Sequence, residues 1–144
     1  MPIIQGRNVR ASEKQVFKTQ VVVIGTGAGG GAFAAELAEA GVDVVMVEEG
    51  GYYQTSDFTT DAPSMVKKLY RNAGTTMAIG KPNVNFMEGR CVGGSTVINA
   101  GISWRTPNRI LKQWKWEHGI DGCTPEELEP IFEKVEERVH VAPQ

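Results

Sequence analysis

An α/β fold built around a parallel sheet is what this 144-residue sequence predicts. Three observations carry the prediction: a run of β-branched residues that stops at a glycine cluster, a helix-forming stretch directly after it, and a second apolar run that ends on an acid. At this length one domain is expected, large enough to bury a real core.

Residues 20–24, QVVVI, are β-branched and apolar from Val21 on, as in a parallel strand covered on both faces. Gly25, Gly27 and Gly30 follow in GxGxxG spacing, and residues 32–40 are rich in Ala, Glu and Leu, which favour helix. Gly41 ends that helix, residues 42–47 form a second apolar strand, and Glu48 stands at its carboxyl end, 21 positions after Gly27. Gly25 permits a tight turn, Gly27 lets main chain approach a pyrophosphate, and Gly30 with Ala34 lets the helix pack closely on the strands. Free N–H groups and the positive helix end at Ala28 and Gly29 would face the phosphates. Glu48 would accept hydrogen bonds from ribose hydroxyls and would disfavour a 2′-phosphate, which makes NADP a poor candidate. Together these features predict dinucleotide binding in a Rossmann-like, three-layer fold. They leave FAD and NAD both open, since each presents the same adenosine diphosphate to the same fold.

Residues 52–63 lack helical periodicity and read as a surface connection, and residues 64–73 as a short helix. A second glycine cluster then runs from Gly89 to Pro107, GRCVGGSTVINAGISWRTP, in which Ser95 can cap a helix starting near Thr96. Gly93, Gly94, Ser95, Ala100 and Gly101 are small enough to let main chain approach a bulky planar group. Arg90 adds a fixed positive charge suited to a diphosphate, and Asn99 offers both a donor and an acceptor, matching the mixed edge of an isoalloxazine ring. The residues alone are equally those of a glycine turn with a close-packed helix, and both readings stay open.

At these residues the sequence resembles a known family. The string GRCVGGSTVINAGISWRTP looks like the first signature of glucose-methanol-choline (GMC) oxidoreductases, and VVVIGTGAGGGAFAAELAEAGVDVVMVEEGG is similar to that family's amino-terminal ADP-binding segment. Both occur in family order, and the resemblance covers most of residues 21–139. It implies that Gly25, Thr26, Gly27 and Ala28 hold the pyrophosphate of FAD, that Glu48 holds the ribose and Arg90 supports the phosphates, and that Gly94, Ser95, Asn99, Ala100 and Gly101 lie along the flavin. Family members that attach FAD covalently carry a histidine immediately before the Asn of Asn-x-Gly; Ile98 stands there, which implies noncovalent FAD. The implied reaction is oxidation of an alcohol to a carbonyl, with hydride passing to flavin N5 and a histidine of a carboxyl-terminal segment taking the proton. This chain is expected to be the incomplete amino-terminal FAD-binding part (residues 1–144), to contain no catalytic residue, and to work with the rest of the enzyme chain and a small-molecule alcohol. Arg105 to Pro107 are similar to the branch that includes long-chain alcohol oxidases. The alternatives are an NAD-dependent Rossmann dehydrogenase and a nonenzymatic nucleotide-binding fragment.

Fifteen basic against 17 acidic residues leave a net charge of −2, too weak a field to recruit nucleic acid or an anionic membrane. The apolar runs are too short for a signal peptide or a transmembrane span, so a cytoplasmic protein is expected. Cys91 and Cys123 make no disulfide framework, no His/Cys cluster suggests a metal, and both read as small half-buried residues. His118 and His140 read as solvated surface residues. Trp104, Trp114 and Trp116 are expected in core or inter-domain packing. Thr124 and Glu127 form a capping box ahead of an apolar stripe of Leu128, Ile131, Phe132, Val135 and Val139 that would face a core, with Pro130 starting a new helix. The charges from Glu133 to Arg138 alternate in sign on the opposite, solvated face.

Overall fold

In a computed structural model, residues 3–10, 12 and 14–143 are described. The chain divides into two units, Met1–Ala100 and Gly101–Gln144.

In the first unit the expected strand, glycine turn, helix and strand appear as β1 (Val21–Ile24), α1 (Ala28–Glu39) and β2 (Val44–Val47). The strands pair in parallel, Val21 opposite Val44 through Ile24 opposite Val47. Helix α1 ends as the sequence predicts, at Gly41 in the left-handed region with φ of 81°. The Gly41 N–H donates to the Ala38 carbonyl and the Val42 N–H to the Leu37 carbonyl, each at 3.0 Å. That pairing is a Schellman motif. It also explains why β2 starts at Val44 rather than at Val42, because the Val42 N–H is spent on the helix end.

The core of this unit is Val23, Ala34 and Val44, with Val21, Leu37, Val42 and Met46 packed around it. One sheet face is therefore covered by α1. Val22, Ile24 and Val47 stay exposed, Ile24 at 87%. Apolar strands whose sequence suits cover on two faces are covered here on one.

Helix α2 spans Ala62–Leu69, with Pro63 in its first turn, where no N–H is needed. It starts two residues earlier than predicted and stops before the predicted end at residue 73. Asn72 and Ala73 have φ of 48° and 51°, which no α-helix accommodates. The predicted connection at 52–63 holds only one 3₁₀ turn, Thr55–Asp57, before α2 begins. Strands β3 (Met77–Ala78) and β4 (Val84–Asn85) form an antiparallel pair that the sequence did not predict. Two residues each are too short to show a period.

The second unit contains α3 (Asn108–His118) and α4 (Pro125–Arg138). Helix α3 was not foreseen, although Pro107 before it and Gly119 after it, with φ of 65°, mark its ends. Helix α4 begins with the predicted capping box: the Glu127 N–H donates to Thr124 Oγ1 at 3.3 Å and the Thr124 N–H to Glu127 Oε2 at 3.0 Å. It continues through Pro130 without a break, correcting the expectation of a new helix there. Pro130 and Glu126 are both exposed, so water can serve the one carbonyl that proline leaves without a donor.

The apolar stripe on α4 is not core-facing in this chain, since Ile131, Val135 and Val139 are each more than half exposed. Of the two readings for the tryptophans, packing in this chain's own core does not hold for Trp104 and Trp116, which are 87% and 69% exposed. Leu111 is the buried anchor, at 1% exposure, and the Cys123 Sγ lies 3.0 Å from the Ile120 carbonyl. Both cysteines are free, and they are buried rather than half-buried. Arg105 holds Glu136 and Glu129 at 2.6 Å each, and its guanidinium sits over the Phe132 ring. His118 and His140 are exposed, as expected, His118 as the last residue of α3. Among the described residues no helix is long and apolar enough to cross a membrane.

Candidate functional site

Helix α1 starts at Ala28 with Gly27 as its N-cap, and no side chain caps it. The first N–H groups of such a helix have no intrahelical acceptor, and with the macrodipole they present a positive end to an anion. Gly25 lies in the left-handed region with φ of 91°, which turns the chain from β1 into the helix. A Cβ at Gly30 would overlap the Gly25 carbonyl, so Gly30 is glycine because helix and turn touch there. Around Gly27 the reverse holds: an added Cβ would meet nothing within 4 Å. The open space at Gly27, beside uncapped N–H groups, fits a pyrophosphate.

Glu48 follows β2 and points its carboxylate back to the turn. Its Oε2 accepts from the Thr26 N–H at 2.9 Å and from the Thr26 hydroxyl at 2.7 Å, and its Oε1 accepts from the Gly50 N–H at 2.8 Å. Burial pushes this carboxyl upward in pKa, but the hydrogen bonds from Thr26 and Gly50 outweigh it and hold the group below its ordinary value. Main-chain donors thus hold both carboxylate oxygens, and a ribose hydroxyl would share one of them.

The second glycine cluster docks on the first within this same unit. Its entry crosses Gly50 so closely that a Cβ there would overlap the Arg90 carbonyl, and the Val92 N–H donates to the Gly51 carbonyl at 2.9 Å. Gly93 and Gly94 have φ of 95° and 56°, and a Cβ on Gly94 would come within 2.9 Å of the Gly27 Cα. The Gly93 N–H donates to Thr26 Oγ1 at 3.0 Å. Two turns separated by 67 residues are thus joined through one hydroxyl.

Several predicted residues sit differently from expectation. No helix starts near Thr96; the segment Gly94–Thr96 is a single 3₁₀ turn capped by left-handed Gly93. Ser95 caps nothing, because its Oγ accepts from the Gly89 N–H at 3.1 Å and ties the turn back on itself. The Asn99 amide donates to the Thr96 carbonyl. Ala100 is exposed, and Gly101, which opens the second unit, has φ of 70°. Arg90 is ion-paired with Glu49 at 3.3 Å, and Glu49 also holds Arg71. The sequence reading missed Glu49, Gly50 and Arg71. Only the glycine pair directly after the acids hinted that another segment crosses there. Cys91 lies buried in this crossing, its thiol pushed up by burial and by the Glu48 charge, which leaves it a packing group rather than a nucleophile. Among the described residues no cluster of His, Cys, Asp and Glu could hold a metal ion.

Comparison with known proteins gives a consistent result. A family model described as GMC oxidoreductase matches residues 66–144, and one described as FAD binding domain matches residues 20–81. The chain is 39% identical over 131 residues to an uncharacterized GMC-type oxidoreductase of Sinorhizobium fredii, covering 91% of this chain and 26% of that protein. It is 33% identical over 132 residues to a long-chain-alcohol oxidase of Arabidopsis thaliana, covering 90% of this chain and 17% of that protein. Among solved structures, pyridoxine 4-oxidase from Mesorbium loti superposes with a TM-score of 0.61 at 22% identity, over 80% of this chain and 24% of that one. That likeness shows the fold. The chain spans about a quarter or less of the curated relatives it matches.

Proposed function

Because the chain belongs to the GMC oxidoreductase family and its cofactor is FAD, we propose that it is the nucleotide-holding part of an enzyme that oxidises an alcohol to a carbonyl. The observation that carries this reading is the docking of the second glycine turn on the first, Gly94 against Gly27, with Glu48 beside them. One glycine turn suffices for a dinucleotide's phosphates. A second one laid against it supports a cofactor with a further bulky ring to seat. The FAD assignment sets aside the NAD-dependent alternative.

In this reading Gly25, Thr26, Gly27 and Ala28 bind the pyrophosphate through main chain, and Gly30 keeps the turn closed. Glu48 accepts from a ribose hydroxyl. Gly94, Ser95, Asn99, Ala100 and Gly101 flank the flavin, as their match to the family signature implies. Arg90 contributes its charge near the phosphates only on release from Glu49, or else shares it with that acid. When bound, FAD supplies the hydride acceptor; the work of this chain is to bind and orient it and to set its electrostatic surroundings. Ile98, where a histidine would anchor the flavin, favours a noncovalent cofactor. Similarity to a long-chain-alcohol oxidase makes long-chain primary alcohols the first substrates to try.

The test is anaerobic mixing of the FAD-loaded natural polypeptide that carries this chain with primary alcohols of graded chain length. The expected result is bleaching of the flavin absorbance by at least one of them, at a rate that depends on chain length. A flavin that stays oxidised with every alcohol would refute the assigned reaction and leave only FAD binding.

A further inference from the structure

We propose that the Thr26 hydroxyl is a positioning residue for FAD, clamping the second glycine turn onto the first so that the flavin half of the cofactor finds its platform in place. The inference rests on the FAD reading above and concerns a side chain where the dinucleotide fingerprint asks only for main chain.

The directions of the hydrogen bonds are fixed by chemistry. A backbone N–H can only donate, so Gly93 gives its proton to Thr26 Oγ1 at 3.0 Å. An ionised carboxylate can only accept, so the single hydroxyl proton goes to Glu48 Oε2 at 2.7 Å. The hydroxyl therefore donates to one side of the junction and accepts from the other. Charge assistance from Glu48 strengthens the hydroxyl's hold, because polarising its proton makes the oxygen a better acceptor for Gly93.

Removing the hydroxyl has unequal consequences. Glu48 keeps the N–H donors of Thr26 and Gly50, so the ribose acid stays where it is. Gly93 loses its acceptor in a part-buried position, and its turn, already in the left-handed region at two successive residues, has less to hold it against Gly27. Loss of Thr26 Oγ1 should therefore harm the flavin half of binding more than the adenosine half.

The experiment titrates FAD and ADP separately into the natural polypeptide and its Thr26→Val and Thr26→Ser variants. Valine keeps the branched shape without the hydroxyl, and serine keeps the hydroxyl. For Thr26→Val the expected loss is about tenfold in FAD affinity, the scale of a part-buried N–H left without its acceptor, against less than about twofold for ADP. Thr26→Ser should stay within about twofold of the parent for both ligands. Where the valine variant does not fold, Thr26→Ala removes the hydroxyl without adding bulk and is read identically. FAD binding unchanged in the hydroxyl-free variant, or FAD and ADP weakened equally, would overturn the clamp. Failure of the parent itself to bind FAD would instead refute the cofactor reading on which the clamp depends.

Discussion

Gly27→Ala is expected to leave the unliganded protein folded and to lower FAD affinity by about a hundredfold. Gly27 has φ of −68° and ψ of −170°, a conformation open to any residue, and a Cβ there meets nothing within 4 Å. Folding therefore has little to say against alanine; as an N-cap it costs at most about 1 kcal/mol relative to glycine. In the proposed site the methyl group would instead stand where a pyrophosphate would approach the N–H groups of Ala28 and Gly29. Displacing it would weaken charge-assisted hydrogen bonds worth about 1.5–3 kcal/mol each, and a combined loss of about 2.8 kcal/mol gives the stated factor. Thermal melting of the apoprotein together with FAD titration separates the two effects. A variant that binds FAD normally would mean that the pyrophosphate lies elsewhere.

Gly30→Ala should do the opposite, destabilising the apoprotein by about 3 kcal/mol and losing FAD only as a consequence. Its Cβ would overlap the Gly25 carbonyl and lie 3.2 Å from that residue's carbonyl carbon and 3.3 Å from Val23 Cγ1. Two of those atoms are backbone in a turn whose φ of 91° leaves little freedom to yield, and the third belongs to the core. Against a total stability of about 5–15 kcal/mol for a domain, such a loss is large. Excess FAD should recover part of it by binding only the folded state. Denaturant unfolding of the apoprotein checks this, and a midpoint equal to that of the parent would contradict the close contact. Two glycines of one motif thus have separable causes, ligand space at Gly27 and chain packing at Gly30.

Much of the first glycine cluster was legible because its signals are local. The run at 20–24, the GxGxxG spacing and Gly41 as terminator act through neighbours a few residues away, and Glu48 stands at the strand end, although its partner Thr26 is 22 residues away. The second cluster was legible only as chemistry. That it is a single 3₁₀ turn, with Ser95 turned to Gly89 and Gly93 held by Thr26, follows from contacts that no local period encodes. Arg90 shows the same limit, since its charge was read correctly but its partner Glu49 lies 41 residues away.

Pro130 and the apolar stripe of α4 depart from expectation for different reasons. A proline one turn into an exposed helix forfeits one hydrogen bond, and the capping box and the following turns sustain α4 around it. Trp104, Ile131, Val135 and Ile24 do carry the apolar character of buried positions, but an apolar pattern states only that a face favours cover. It does not state whether these 144 residues supply that cover.

The central claim, that two docked glycine turns hold FAD without a covalent bond, is tested most directly by the visible absorption spectrum of the natural polypeptide purified in the presence of FAD, recorded before and after denaturation and filtration. The expected result is a yellow protein whose flavin absorbance passes the filter once the chain is unfolded. A protein that stays colourless, or a flavin retained with the denatured polypeptide, would contradict it.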